Sequence, residues 1–355
     1  MNKGRFAYGA RRPAAAALRG PGVRGALFCL LSMTLLAGCS LRPLVDPEYN
    51  TYVRIKVNTD NIRNVTTGIY NEDVPVPEIA PEVMHVLFYE PDGNSLVAES
   101  FVSKSSSDGD GYTWISGYLS LVPGDYRMLA YNFGTEGTTV DGYGNYETAT
   151  AGSGTVSEQI LSRYTSKAPG EIVVYEPDHL TVANLELESV PFHDGMHVIE
   201  AEATTVVETW YIQIKVEGLE YVSGAQAFLS GMHSGNVISQ GDRVEEPQNT
   251  VYFSLQAGDD GGVPVICGIF NTFGRVPGAQ NDLRLTFDIR TKDGRTVNAE
   301  YDISDLFLSP DAVDHNWLLM EQTLTIDPPE YEPGVGGGFQ PEVGDWEDEH
   351  HDILI

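Results

Sequence analysis

The stretch Tyr52-Val-Arg-Ile-Lys-Val57 decides the fold, because apolar and polar side chains alternate along it with a period of two. Val53, Ile55 and Val57 fall on one face, and their polar neighbours fall on the other. Successive side chains of a β-strand point to opposite faces, so this pattern predicts a strand with one buried face.

The same period recurs along most of the chain in short segments that are separated by turn residues. Lys292-Asp-Gly-Arg295 is the strongest hairpin signal, because Asp-Gly supplies the positive φ angles that a tight turn requires. Residues 157–164 are predicted as one or two helical turns with Ser157 as N-cap, and residues 134–154 as a loop. The further predicted strands are 83–89, 96–102, 112–121, 126–132, 171–175, 179–188, 197–207, 210–216, 225–230, 250–256, 263–273, 283–291, 295–302 and 317–326.

Many short strands with few helical segments between them indicate an all-β protein built from β-sandwiches. A parallel α/β sheet would need intervening helices. The 317 residues from Cys39 onward exceed what one core usually serves, so we expect two tandem sandwich domains, residues 39–165 and 166–327. A Pro/Gly linker and a C-terminal tail of acidic and apolar residues follow at 328–355.

The N-terminus carries the features of an exported lipoprotein. An apolar run over residues 26–37 leads into the box that a lipoprotein signal peptidase recognises, formed by Leu36, Ala37, Gly38 and Cys39. Upstream lie six basic residues and no acidic one. The apolar run is too short for an uncut transmembrane anchor. We therefore predict a signal peptide at residues 1–38 and a membrane tether through lipid on Cys39.

Charge and cysteine content limit the kinds of partner and bond that we expect for the mature chain. The full sequence has 21 basic and 51 acidic residues, and removal of residues 1–38 leaves 15 against 51, a formal charge of −36. Such a surface repels nucleic acid and anionic lipid, so neither is expected as a partner. With Cys29 removed and Cys39 lipidated, Cys267 remains alone, in an apolar stretch that predicts a buried thiol.

Motifs of known enzyme classes are absent from the sequence, so no catalytic residue and no cofactor are predicted. His193 and His197 have the spacing of metal ligands on a helix, but the turn signal around Asp194-Gly195 favours a connection between strands instead. The segment Asp108-Gly-Asp-Gly111 lacks the final glutamate of a calcium loop. No metal site is predicted.

Aromatic residues leave a second class of function open. Trp114, Tyr118, Tyr143 and Tyr146 can stack on sugar rings in a surface glycan-binding lipoprotein, or pack across strands and in the core. A hydrolase whose site forms only in three dimensions is a third alternative.

The chain ends in Asp352-Ile-Leu-Ile355, an apolar segment beyond the linker. Two interpretations remain open. The segment folds back onto an edge of its own sandwich, or it leaves the molecule and adds a strand to a neighbour.

Several motifs, taken in order, resemble the fimbrillin-like lipoproteins of Bacteroides-type bacteria. They are the lipobox at residues 36–39, Leu121-Val-Pro-Gly-Asp-Tyr126, the segment 297–305, and Gly336-Gly-Gly-Phe-Gln-Pro-Glu-Val-Gly-Asp-Trp346. The resemblance implies two transthyretin-like or immunoglobulin-like sandwiches, a lipid anchor in the outer membrane, exposure at the cell surface, and a role in the pilus as subunit, anchor or tip.

In that family, subunits assemble after proteolysis behind a basic residue removes an N-terminal strand, and a strand of the next subunit fills the groove. The resemblance makes Arg63 a candidate processing site, because it follows the strand at 51–57. It also makes Asp352, Ile353, Leu354 and Ile355 a candidate donor strand for other pilus subunits. Cys39 precedes the first strand by about a dozen residues, which suits a retained anchor as well as a cleaved subunit.

Overall fold

A computed structural model describes residues 50–57, 81–105, 113–132, 137–162, 171–193, 195–278 and 283–329. These residues all belong to one compact unit that begins at Tyr49.

Several predicted features lie outside the described residues and stay predictions. They are the cleavage box of Leu36, Ala37 and Gly38, the lipidated Cys39, the candidate processing site Arg63, the segment 108–111, and the candidate donor strand of Asp352, Ile353, Leu354 and Ile355.

β-strands dominate the part of the chain that the structure describes, which confirms the all-β prediction. The strands are β1 Asn50–Val57, β2 Val83–Tyr89, β3 Leu96–Lys104, β4 Thr113–Ser120, β5 Gly124–Asn132, β6 Thr138–Asp141, β7 Thr150–Ser153, β8 Ile172–Tyr175, β9 Thr181–Val190, β10 Met196–Thr205, β11 Glu208–Glu217, β12 Val222–Met232, β13 Gly235–Val237, β14 Asp242–Val244, β15 Asn249–Asp260, β16 Val263–Thr272, β17 Arg284–Thr291, β18 Thr296–Asp302 and β19 Trp317–Thr325. The helices are α1 Glu158–Leu161 and α2 Pro310–His315, with 3-10 turns at Tyr146–Thr148, Leu219–Tyr221 and Leu306–Leu308.

Seven of the described strands form a closed barrel in the order β1-β10-β9-β5-β2-β3-β4, and β4 returns to pair with β1. Inward residues of these strands form one hydrophobic cluster, which includes Val53, Ile55, Phe88 and Met128. The alternation that predicted the first strand is thus the pattern of a barrel wall.

A four-stranded sheet of order β14-β13-β7-β6 packs on the outside of this barrel. Strand β2 serves both layers, because Val86 and Phe88 point into the barrel core while Leu87 and Tyr89 join a second cluster outside it. That second cluster includes Ala151 of β7. Burial on both faces explains why β2 is almost continuously apolar.

The remaining strands form a sheet of order β18-β17-β12-β15-β16-β11-β19, with β8 beside β15. Strand β15 belongs to two ladders, because residues 249–255 pair with β12 and residues 256–260 pair with β16. Both parts of the sheet line one large core, in which the rings of Phe253 and Phe270 stack with centroids 4.1 Å apart. Cys267 is fully buried beside this core, as predicted.

Strand pairing in the first half differs from the predicted sandwich. The sequence predicted a sandwich, and the strands form a closed barrel, because β1 and β4 join its edges. Strands β9 and β10 belong to this barrel as well, so pairing changes from one sheet to the next between Thr205 and Glu208. The division into domains at residues 165 and 166 stays a prediction, and strand pairing does not mark that position.

Local predictions differ in three places. The predicted loop at 134–154 contains the short strands β6 and β7. Ser157 stands at the N-cap of α1, but its side chain makes no capping hydrogen bond. Helix α2 was not predicted, although the Ser309 side chain caps it and Asn316 ends it in the left-handed conformation.

The Asp293-Gly294 turn between β17 and β18 is confirmed, since Gly294 has a φ of 85°. In the turn between β2 and β3, Asn94 rather than Gly93 takes the positive φ, at 55°. Asparagine tolerates this conformation better than most side chains. No helix among the described residues has both the length and the apolar character needed to cross a bilayer.

Replacing Gly235 by alanine should weaken the contact between β13 and β7. A Cβ atom at position 235 would lie 2.2 Å from the backbone oxygen of Ala151. We expect Gly235→Ala to lower the free energy of unfolding by about 2–3 kcal/mol in urea titrations, as overpacking does.

Gly152 provides a matched control, because it is the register partner of Gly235. A Cβ atom there meets only the backbone oxygen of Ser234, at 3.7 Å. Gly152→Ala should stay within about 0.5 kcal/mol of the parent. Equal unfolding midpoints for the two variants would contradict the close approach of β13 to β7.

Candidate functional site

Strand β1 forms the first candidate site, because it is the first described strand and closes the barrel between β4 and β10. All eight of its residues pair in parallel with β10, and the same eight pair antiparallel with β4. We call the space that β1 fills between β4 and β10 the β1 slot.

The inner face of β1 fills the barrel core. Val53, Ile55 and Val57 are 0%, 0% and 2% exposed. Their register partners on β10 are Ile199, Ala201 and Ala203, which are themselves buried. Ala201 and Ala203 lie opposite Ile55 and Val57, so small side chains on β10 leave room for bulky β-branched side chains at alternate positions of β1.

The β4 side of the slot depends on a glycine. Gly117 is the register partner of Val53, and a Cβ atom there would lie 2.7 Å from Cγ1 of Val102. The missing side chain lets Val102, which is 1% exposed, pack beneath β1. Glycine at this position therefore serves close packing in the barrel.

The outer face of β1 is held by polar and aromatic contacts. The Arg54 guanidinium lies 3.3 Å from the Glu200 carboxylate and 3.8 Å from the centre of the Trp114 ring. The Tyr52 hydroxyl donates to Ser116 Oγ at 2.7 Å. These contacts join β1 to both neighbouring strands on the side away from the core.

Without β1, the β1 slot would be able to accept another extended strand. Loss of β1 would expose apolar side chains and leave backbone N–H and C=O groups of β4 and β10 without partners. An extended segment with bulky side chains at alternate positions satisfies both requirements. No covalent bond is formed or broken in such a step.

A second candidate site is an aromatic pocket, a cavity of about 490 Å³ on the outside of the barrel. The His85 ring lies in it, stacked on Phe101 at 4.5 Å and edge-on to Tyr143 at 5.7 Å. Nε2 of His85 lies 2.9 Å from Oε2 of Glu99, and Nδ1 lies 3.0 Å from the Tyr131 hydroxyl. We call this cavity the aromatic pocket.

Burial raises the pKa of the Tyr131 hydroxyl far above its usual value, and the neighbouring Tyr143 and Glu99 raise it further. Tyr131 therefore remains a neutral hydroxyl at physiological pH. Phe101 and Tyr143 are exposed at the pocket mouth. Exposed rings beside a carboxylate and hydroxyl groups suit a ligand with an apolar face and polar edges.

The structure brings only one of the four predicted aromatic residues into this pocket, namely Tyr143. Tyr146 is 4% exposed in the core between the barrel and the four-stranded sheet, so it presents no platform. Trp114 and Tyr118 lie on strand β4 and contact Arg54 and Tyr52. His85, Glu99 and Phe101 were missed, because strand periodicity does not reveal which residues meet across a ladder.

His193 lies between the end of β9 and the start of β10, so the prediction that it belongs to a connection between strands is confirmed. The His193 and His197 rings lie 5.5 Å apart, and His197 Nε2 lies 3.6 Å from the Glu188 carboxylate. Within the described residues, no three His, Cys, Asp or Glu side chains are arranged to hold a metal ion.

Comparison with known proteins gives three findings. A family model described as "Domain of unknown function (DUF5119)" matches residues 52–254. A protein of Bacteroides ovatus described as "Putative fimbrium anchoring subunit Fim4B" is 25% identical over 242 residues. That match covers 66% of this chain and 62% of the relative, so the chain spans less than two thirds of the relative's length.

The third finding concerns a crystal structure described as a "putative adhesin" from Bacteroides ovatus. It is similar in fold with a TM-score of 0.53 and 20% sequence identity. The likeness covers 83% of this chain and 98% of the other.

The β1 slot should accept or reject a peptide according to the side chains on the peptide's inner face. In a mature chain nicked within residues 58–80 after folding, a labelled peptide of residues 50–57 should exchange for β1. A peptide carrying Ile55→Asp should not compete in fluorescence anisotropy, because burying an unpaired carboxylate in the core costs several kcal/mol.

Lys56→Ala supplies the control peptide, since Lys56 lies on the outer face of β1. It should exchange within a few-fold of the parent peptide, as surface substitutions usually do. Equal competition by the two altered peptides would show that the slot does not select by side chain.

Proposed function

The chain belongs to the DUF5119 family, and from that premise we propose that it is a non-enzymatic, lipid-anchored protein of the outer membrane that holds fimbriae at the cell surface. The likeness to Fim4B confirms the resemblance to fimbrillin-like proteins and supports a fimbrial role. The observation that carries the proposal is the position of β1, the first described strand after the proposed tether, fully paired on both sides within the barrel.

In an anchor, the strand next to the lipid must stay in the fold when force is applied to the protein. Cys39 and the start of β1 at Asn50 are eleven residues apart, so a pull from the lipid reaches β1 directly. The two ladders of β1 and its buried face oppose that pull. We infer that the protein acts with β1 retained, and that cleavage at Arg63 would convert it into a released subunit.

Contact with pilus subunits would then use β-strand complementation. Within the described residues, β19 pairs only with β11 and forms an edge of its sheet. Asp352–Ile355 follow β19 after the Pro/Gly linker, and they are the proposed donor strand for a neighbouring subunit. Backbone pairing gives such contacts their strength, and alternate side-chain pockets give them specificity.

The finer description of the fold also belongs to this proposal. Transthyretin-like organisation was predicted with one module at residues 39–165 and the next at 166–327, but β9 and β10 lie in the second range and pair within the barrel of the first half. The large core that both parts of the second sheet line supports a sandwich in the C-terminal half.

Replacing the lipidated cysteine tests the anchor. In the native membrane, mass spectrometry should find a chain that begins at diacylated Cys39, with Ala37 and Gly38 removed along with the rest of the signal peptide. Cys39→Ser should abolish incorporation of labelled palmitate and move both the protein and its fimbriae from the cell fraction to the medium, because the lipid supplies the attachment.

Cys29→Ser is the matched control, since Cys29 lies in the predicted signal peptide and should leave labelling and fractionation unchanged. A native chain that begins at Asn64 would instead identify a cleaved subunit. An unlipidated chain that remains with the membrane would contradict the anchor altogether.

The aromatic pocket favours a second candidate function, the binding of surface glycans. Sugar rings present an apolar face that stacks on aromatic side chains, and Phe101 and Tyr143 are exposed at the pocket mouth. Glu99 offers a carboxylate at the same place. Of the predicted aromatics, Tyr143 contributes to this site, which is a pocket lined by residues of strands β2, β3, β5 and β6.

If the pocket binds glycans, the double variant Phe101→Ala/Tyr143→Ala should weaken binding on a glycan array by roughly tenfold, through lost stacking. Tyr118→Ala should leave binding unchanged, because Tyr118 is exposed on β4 outside the pocket. Equal loss in the two variants would argue against the pocket as the glycan site.

A further inference from the structure

One end of the barrel gathers exposed apolar side chains. The described residues include thirteen large hydrophobic side chains that are exposed, and six of them lie in the turns or within three residues of the strand ends at the end of the barrel where β1 begins. The six are Tyr118, Val122, Leu187, Phe192, Met196 and Val198. We call this set the apolar end.

Strand register places these residues together. Asn50 at the start of β1 pairs with Met196 on one side and with Ser120 on the other. At the same end, Gly124 at the start of β5 pairs with Val190 at the end of β9. The turn with Val122 and the turn with Phe192 therefore project from the same end of the barrel.

Large hydrophobic side chains on turns are costly to expose, and six at one end exceed the scatter expected on a solvated surface. Phe192 is 72% exposed and Val122 is 62% exposed. Clusters of this kind mark a contact with another apolar phase or another protein.

The point at which the tether joins the barrel indicates that this apolar phase is the membrane. Asn50 lies eleven positions after Cys39, and at full extension this segment reaches at most about 40 Å. The apolar end is the end of the barrel to which the tether attaches, so a lipid on Cys39 favours contact of this end with the membrane over contact of the opposite end. The opposite end of the barrel is farther from the tether by the length of the strands.

We propose that the apolar end is a membrane-contact surface, which inserts Val122, Phe192 and Met196 into the interface of the bilayer that holds the lipid. This inference rests on the proposed lipid anchor. Because a diacylated Cys39 already gives stable attachment, the apolar end would fix the orientation of the barrel on the bilayer and would not be needed to hold the protein there. Apolar insertion is also compatible with a mature chain of charge −36, which electrostatic attraction to anionic lipid is not.

The experiment uses the whole mature chain with Cys39→Ser, so that binding is measured without the lipid. This protein should co-float with vesicles of neutral phosphatidylcholine, and binding should persist at about 1 M salt, where charge interactions are screened beyond about 3 Å. The triple variant Val122→Ser/Phe192→Ser/Met196→Ser should lower the partition coefficient at least about tenfold, because the buried apolar area is lost.

Leu308→Ser/Val313→Ser is the control, because these side chains are 66% and 68% exposed near helix α2 and do not belong to the apolar end. It should bind vesicles as the parent does. A fluorescent NBD label on Phe192→Cys should shift to shorter wavelength on vesicles, and the same label on Val313→Cys should not.

Equal vesicle binding by the triple variant and its control, or an unshifted label on Phe192→Cys, would overturn the proposal. Self-association that the triple substitution abolishes, without vesicle binding, would assign the apolar end to a protein partner and would equally overturn it. Palmitate labelling of the unmodified chain is read separately, so failure of the lipid anchor and failure of the membrane-contact surface are distinguishable.

Discussion

Pairing of β1 on both sides is the constraint on which the barrel depends. With β1 in place, β4 and β10 are each paired along the whole length of β1. Three apolar side chains of β1 complete the core of the barrel. Without it the barrel would have two open edges and a hydrophobic slot. Since β10 follows β1 by more than a hundred residues, this closure is long-range and depends on the rest of the barrel being in place.

The sequence predicted strands well because burial of one face imposes a period of two. β2, β16, β17 and β19 lie within two residues of their predicted bounds. The period reveals which face of a strand is buried but not which strand it pairs with, so the assignment of β9 and β10 to the barrel was missed. The four-stranded sheet was missed for another reason, since β13 and β14 have three residues each, too few to show a period.

Of the two candidate sites, the sequence indicated one and not the other, for the same reason. The importance of the segment at 51–57 was visible in its own alternation. The aromatic pocket was not, because His85, Phe101 and Tyr131 come from three strands that meet only through the register of β2 with β3 and β5. Tyr146 illustrates the reverse case, since an aromatic residue in a polar segment proves to be core.

Strand β5 relates the two surfaces of the barrel to each other. Its first residue, Gly124, lies at the apolar end, and its last two, Tyr131 and Asn132, line the aromatic pocket. Gly124 and Asn132 are eight positions apart in extended chain, which is about 26 Å. An apolar end in contact with the membrane would therefore hold the pocket toward the far end of the barrel, away from the lipid. The same orientation would leave the pocket accessible from outside and would place β1 at the tethered end, so the proposed anchoring and the exposure of the pocket would follow from one arrangement of strands.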